Sequence, residues 1–211
     1  LLAQLGAALR AAEEDPEVRC VVLTGTGDRA FCSGLDLADF AAAGTATTPG
    51  AEALADLRRF LDGDVDLPIV AAVNATAVAG GFEVLLGCDL VVASADAGFG
   101  LPEVKRGLFP GGPGALLASR IPLAVALELT LTGDRIDATR AAELGLVNRV
   151  VPAAEVLDTA VALAERIAAN GPLAVKATKQ VVRAAADDVT AAKARQSEWQ
   201  PVVFGSDDAR E

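Results

Sequence analysis

Three short runs constrain the fold of this 211-residue chain more than any other feature: "CVVLTG" at 20–25, "PIVAAVN" at 68–74 and "DLVVAS" at 89–94. Each is apolar at nearly every position rather than at alternate ones. A strand with one wet face alternates, whereas a strand that is apolar throughout has to be covered on both faces. The segments between these runs carry helical spacing and helical stop signals. Leu1, Leu2, Leu5, Leu9 and Ala12 share one helical face, and that helix ends at "EEDPE" because Pro16 disfavours helix ahead of it. "AEALADLRRFLDG" is an amphipathic helix stopped by Gly63. Buried strands separated by helices predict parallel pairing and an α/β fold.

The rhythm changes along the chain. "DRAFCSG" reads as a turn and short strand into a loop, followed by a helix over "DLADFAAA" and the loop "GTATTPG". A helix is expected over 80–87, and "AGFGLPE" holds a short further strand. Beyond Gly111 the chain is mainly helical: "PLAVALELTLTG" ends at Gly133, "DATRAAELG" has an Asp137 cap and a Gly145 stop, and "LVNRVVP" is a short strand. A helix with Val156, Ala160, Leu163 and Ile167 on one face follows, then helices over 173–186 and 189–199. We divide the chain into an α/β core over 1–135, which carries the active site, and a helical C-terminal region over 136–211.

Hydrophobic residues make up 52% of the chain, enough for a sizeable core, while aromatics make up only 4%, so Ala, Val and Leu must fill it. The net charge of −11 speaks against nucleic acid and against an anionic membrane surface, both of which need a basic face. There is no histidine, which excludes Ser-His-Asp and Cys-His catalysis and His-metal sites. Acid–base chemistry therefore falls to carboxylates, Lys or Cys. Cys20, Cys32 and Cys88 form no CxxC pair and read as buried, reduced packing residues. With no signal peptide and no apolar run of transmembrane length, a soluble cytoplasmic protein is expected. The chain begins mid-helix at Leu1, and a missing N-terminal piece is expected too.

"GTGDRA" at 25–30 matches the dinucleotide fingerprint G-x-G-x-x-A. The fingerprint should open a helix and be followed by a second strand ending in an acid. Here it runs into "FCSG", so it reads as a turn.

Three other pieces require a joint explanation. "AFCSGLDL" is a strand ending in Ser-Gly ahead of a helix; "AVAGGFE" is a strand exit with Gly80 and Gly81 opening a helix; "FGLPEVKRGL" places Glu103 after Pro102. Glycines at strand–helix junctions let backbone approach a ligand, and the first N–H groups of a helix are unpaired. Two such junctions facing each other make an oxyanion hole from backbone alone, with the Leu35 and Gly80 N–H groups as donors. Glu83, in an otherwise apolar run, and Glu103 would then handle protons. Asp36 reads as a helix-start residue. Lys176, Lys179 and Arg183 share a helical face that reads as solvated, and Trp199 as either an interface or a surface residue.

These segments resemble the crotonase superfamily, the enoyl-CoA hydratase/isomerase family. "AFCSGLDL", "NATAVAGGFEVLLGCDLVVAS", "FGLPEVKRGLFPGGPGALL", "ELGLVNRVVP" and "GPLAVKATKQ" match family segments in order along the chain. The resemblance implies a ββα spiral core and a helical C-terminal region used in oligomerisation, as a homotrimer or a dimer of trimers. It implies an acyl-CoA thioester substrate, with coenzyme A as part of the substrate and no separate cofactor or metal. It assigns Leu35 and Gly80 to the oxyanion hole, Gly34, Leu35, Asp36, Leu37 and Gly81 to substrate binding, and Glu83 and Glu103 to catalysis. Two carboxylates point to hydration of a 2-enoyl-CoA, with isomerisation, a specialised hydroxyacyl-CoA dehydration or non-catalytic acyl-CoA binding as alternatives. Pro113 departs from the family pattern, which usually has a small residue there.

Overall fold

The computed structural model describes residues 2–34 and 51–209. The four apolar strands β1 (Val21–Thr24), β2 (Ile69–Val73), β4 (Leu90–Ser94) and β7 (Arg149–Val151) form one sheet in the order β1-β2-β4-β7. Every pair is parallel, with Val21 opposite Ile69, Val70 opposite Leu90 and Val92 opposite Arg149. All five residues of β2 are buried. Successive side chains on a strand face opposite ways, and here both faces meet a core. Ala71, Val73, Val91 and Ala93 join the larger cluster, with Phe60, Phe82 and Phe99. Val70, Ala72 and Val92 join a second cluster with Val156, Ala160 and Ala164.

The helices around this sheet begin and end near their sequence signals. Helix α1 (Leu2–Glu14) stops ahead of Pro16, and α2 (Ala51–Leu61) stops ahead of Gly63. Arg10 pairs with Asp56 at 2.6 Å and Arg59 with Glu13 at 3.0 Å, tying the two helices together. Helix α3 (Gly80–Gly87) lies between β3 (Ala77–Val78) and β4. Helix α4 (Leu123–Thr132) ends on a left-handed Gly133. Helix α5 (Ala138–Glu143) starts with Asp137 accepting the Arg140 N–H at 2.7 Å. Helix α6 (Val156–Ala168) covers the second cluster. Helices α7 (Pro172–Asp187) and α8 (Val189–Phe204) pack on each other at the C-terminal end.

The strand rhythm does not anticipate a second sheet, of three short strands that begins with β3. It joins β3 in parallel to β5 (Gly98–Gly100), and β5 in antiparallel to β6 (Ile136–Asp137). Strands of two or three residues are too short to show a period, so pairing alone defines them. The helix expected over "DLADFAAA" lies outside the described residues. Among the described residues no helix is long and apolar enough to cross a membrane.

Candidate active site

Two glycine turns meet beside the second sheet. Cys32 bridges in parallel to Ala77, and its carbonyl accepts the Val78 N–H at 3.2 Å. The chain then turns at Gly34, whose φ of +87° favours glycine. A Cβ on Gly34 would stand 2.9 Å from both Ala79 Cβ and Gly80 N, and one on Gly81 would overlap the Cys32 carbonyl. The two junctions therefore touch through backbone, and side chains are excluded from the contact. Among the described residues no acceptor takes the Gly80 N–H, as expected for the first residue of a helix. Leu35, Asp36 and Leu37, the other expected oxyanion-hole and substrate contacts, lie outside the described residues.

Ala79 joins β3 to α3 with φ 52° and ψ −132°, the only positive-φ non-glycine residue among those described. Holding a non-glycine residue in such a region costs on the order of 1–3 kcal/mol. Ala79 is fixed from both sides: its N–H donates to Gly100 O at 3.0 Å, and its carbonyl accepts from Phe82 at 2.8 Å and Glu83 at 3.1 Å. The strain sits at the turn that launches Gly80 and Glu83.

Glu83 lies in the first turn of α3, where a carboxylate is favoured by the helix dipole. Its Oε1 accepts the Gly112 N–H at 2.7 Å and the Gly114 N–H at 3.3 Å. These donors open a 3-10 helix, Pro113–Ser119, and Pro113 between them has no N–H to give. A Cβ at Gly112 would stand 3.1 Å from the Glu83 carboxyl atoms, and one at Gly114 would stand 3.0 Å from Oε1 and 2.9 Å from Leu101 Cδ2. Glycine at both positions lets the loop close on the carboxylate. This accounts for a charged side chain in an apolar run: one oxygen is held by backbone N–H groups.

Glu103 lies in a 3-10 helix, Pro102–Arg106, that follows β5. Its Oε2 is buried and has no hydrogen-bond partner among the described residues. Burial raises the affinity of this carboxyl for its proton, its own backbone N–H opposes that, and the charge of Glu83 raises it further. The two carboxylates thus differ: Glu83 has an oxygen anchored by two donors, whereas Glu103 presents an oxygen with nothing to bind. Among the described residues no cluster of three or more His, Cys, Asp or Glu side chains could hold a metal ion.

The C-terminal end of α3 is braced as well. Asp89 accepts Ile69 N–H and Lys179 Nζ at Oδ2, at 2.8 and 2.7 Å, and Arg183 Nε at Oδ1, at 2.8 Å. Arg183 also donates to Gly87 O, the last carbonyl of α3, at 3.1 Å. The face of α7 read as solvated is therefore partly internal: Lys179 is nearly covered, while Arg183 and Lys176 are half-buried, Lys176 paired with Asp66. Helical spacing places the three cations on one face but does not show that a carboxylate lies beneath it. Trp199 is tied to α7, donating to Gln180 Oε1 at 2.8 Å. Cys88 is buried as expected, while Cys20 and Cys32 are half-buried; all three are free thiols.

This arrangement offers an unpaired helix-start N–H beside two unlike carboxylates. A family model described as enoyl-CoA hydratase/isomerase matches residues 1–209. The chain belongs to the enoyl-CoA hydratase/isomerase family. A carnitinyl-CoA dehydratase of Proteus mirabilis is 40% identical over 187 residues, covering 87% of this chain and 70% of that one. The crystal structure of an enoyl-CoA hydratase from Mycobacterium tuberculosis superposes with a TM-score of 0.86 at 42% identity, over all of this chain and 82% of that one. A carnitinyl-CoA hydratase from Mycobacterium avium superposes at 0.80 with 41% identity, over all of this chain and 82% of that one. The fold is accordingly the crotonase fold, and an acyl-CoA reaction is the family's chemistry.

Several features of this family member escape a reading of the sequence. The donors at Gly112 and Gly114 could have been suspected from "PGGPG", a glycine run too rich for a plain helix start. The strain at Ala79 had a weaker signal: an alanine ahead of two glycines in a turn.

Proposed function

We propose that this chain is an enoyl-CoA hydratase, a hydro-lyase that reversibly adds water across the double bond of a 2-enoyl-CoA in syn fashion. The observation that carries the reading is the pairing of Glu83, anchored at Oε1, with Glu103, whose buried Oε2 is unpartnered and whose proton is held more tightly than usual. Glu83, with Oε2 left to work, takes a proton from water as the water oxygen bonds to C3. Glu103, protonated, passes its proton to C2. The proton taken by Glu83 then returns to Glu103, and the net change is H at C2 and OH at C3. The Gly80 N–H, with the Leu35 N–H as partner, holds the thioester oxygen and stabilises the enolate character that develops there. Gly34 and Gly81 keep this backbone close enough to act, and Asp36 and Leu37 flank the bound thioester. Coenzyme A enters as part of the substrate, and the working unit is a homotrimer or a dimer of trimers.

A second reading has its own support. Relatives are named carnitinyl-CoA dehydratase, and dehydration would run this chain's residues in reverse, with Glu103 taking the C2 proton and the C3 hydroxyl leaving as water with a proton from Glu83. An isomerase would move a proton without capturing water.

The test is the product formed from a 2-enoyl-CoA in ¹⁸O-water and, separately, in heavy water. A hydratase yields 3-hydroxyacyl-CoA with ¹⁸O at C3 and one deuterium at C2. A shifted double bond without label from ¹⁸O-water would point to isomerisation, and tight binding without product to a non-catalytic role.

A further inference from the structure

Gly34 and Gly81 are glycines where a Cβ would collide with its neighbours. Ala79 is the reverse case: it carries a Cβ where φ 52° and ψ −132° favour glycine. Strain of this kind persists only where the surroundings over-determine it, and it gathers at functional sites. The Ala79 methyl group therefore has a task that glycine could not perform.

The methyl group faces the other glycine turn. A Cβ on Gly34 would have as its nearest atoms Ala79 Cβ at 2.9 Å, Gly80 N at 2.9 Å and Val78 O at 3.4 Å. Ala79 Cβ is the one side-chain atom among the three, so it stands between the Gly34 turn and the end of β3. On Gly80, outside its own helix and chain neighbours, a Cβ would meet only Gly34, 3.4 Å from its Cα and 4.0 Å from its carbonyl carbon. The space around Gly80 is otherwise open, and both Ala79 and Gly80 are half-buried. Among the described residues the Gly34 turn is thus the wall that stands close to the Gly80 N–H.

The direction of that N–H is set through Ala79 as well. A trans peptide points its C=O and N–H opposite ways. The Ala79 carbonyl is held on the helix side, accepting from Phe82 at 2.8 Å and Glu83 at 3.1 Å, so the Gly80 N–H faces away from the helix. Resting on the hydratase reading above, we propose that Ala79 is a positioning residue: its methyl group holds the Gly34 turn off the Ala79–Gly80 peptide and so keeps the Gly80 N–H open to the thioester oxygen. With glycine at 79 the strain goes, but the Gly34 turn settles onto the peptide and the donor is misaimed. Stability and rate then move in opposite directions. What is lost acts in the transition state, so kcat falls while KM stays nearly level.

The experiment measures the melting midpoint, kcat and KM on crotonyl-CoA, and the infrared stretch of a ¹³C-labelled thioester carbonyl in bound butyryl-CoA, which a hydrogen bond from the Gly80 N–H lowers. Ala79→Gly should melt higher than the parent and lower the carbonyl stretch less. Its kcat should fall about tenfold or more at nearly unchanged KM, within the roughly 10²–10³ that loss of a whole oxyanion donor costs. Ala79→Ser, which keeps the Cβ, should return both kcat and the carbonyl stretch to near the parent values. A merely structural residue would not give a more stable, slower enzyme. An Ala79→Gly variant less stable than the parent, one as fast as the parent, or an Ala79→Ser variant as slow as Ala79→Gly would overturn the proposal. If the parent hydrates no enoyl-CoA, the hydratase reading fails on its own and the carbonyl stretch decides. A lowering in the parent that shrinks in Ala79→Gly and returns in Ala79→Ser then supports the spacer, and any other result overturns it.

Discussion

Glu103 and Ala79 are two site residues held away from their ordinary states. For Glu103 the folded protein binds the proton more tightly than the unfolded chain does. Its stabilising contribution is therefore complete below the ordinary Glu range and is lost as pH rises through the raised folded value. Glu103→Gln, which stays neutral, should be more stable than the parent at pH 7, with the difference shrinking as pH falls from the raised folded value to the ordinary Glu range. Denaturant melts across pH 4–8 would check this, and a variant less stable than the parent at pH 7 would contradict it. Because the charge of Glu83 is one cause of the shift, Glu83→Gln should move the Glu103 titration toward the ordinary value, as read by carboxyl ¹³C NMR. Ala79 sits at φ 52°, where glycine is at ease. Relief of about 1–3 kcal/mol of strain, less about 0.4–1 kcal/mol for the freer unfolded chain, predicts that Ala79→Gly stabilises by about 1 kcal/mol. A loss of stability would place the strain elsewhere.

At the scale of elements, the site is an α-helix met end-on by a 3-10 helix. Helix α3 brings Gly80 and Glu83, and Pro113–Ser119 brings the two donors that hold Glu83. Gly114→Ala would push Cβ against Glu83 and Leu101 and shift the carboxylate. A displacement of about 1 Å at a reacting group costs on the order of 10²-fold in rate, so kcat should fall about that far with KM little changed. Near-normal kcat would show that these donors do not position Glu83. At the other end of α3, Lys179→Met should destabilise by about 2 kcal/mol, because a charge-assisted hydrogen bond is lost while Asp89 keeps Arg183 and the Ile69 N–H. Chemical denaturation measures this, and an unchanged midpoint would contradict the brace. Much of this level is legible in the sequence. The limits of β2, α3 and α4 follow from apolar runs and from glycine and proline, which act locally. The antiparallel β5–β6 pair, the Asp89 brace and the Gly112–Gly114 donors are contacts between distant segments, and no local period encodes them.

The whole molecule leaves an apolar stripe uncovered. Leu123, Leu127 and Leu131 stand one turn apart on α4 and are 63%, 46% and 70% exposed, and Phe109 and Phe204 are exposed too. With the proposed trimer, these surfaces and the C-terminal helices have somewhere to go. Light scattering at micromolar concentration should give a multiple of the chain mass, and Leu127→Lys should lower it if α4 takes part; a monomer for the parent chain would contradict self-association. The central claim, however, is that Glu83 and Glu103 act as one unit on water and the α-carbon. The most direct measurement is loss of enoyl-thioester ultraviolet absorbance by the parent, Glu83→Gln, Glu103→Gln and the double variant, with acyl-CoA affinity measured separately. Groups acting as a unit are strongly non-additive. Each single variant should nearly abolish hydration, the double should be little worse than either, and affinity should survive because the backbone donors remain. Hydration at close to the parent rate by either single variant would contradict the two-carboxylate mechanism.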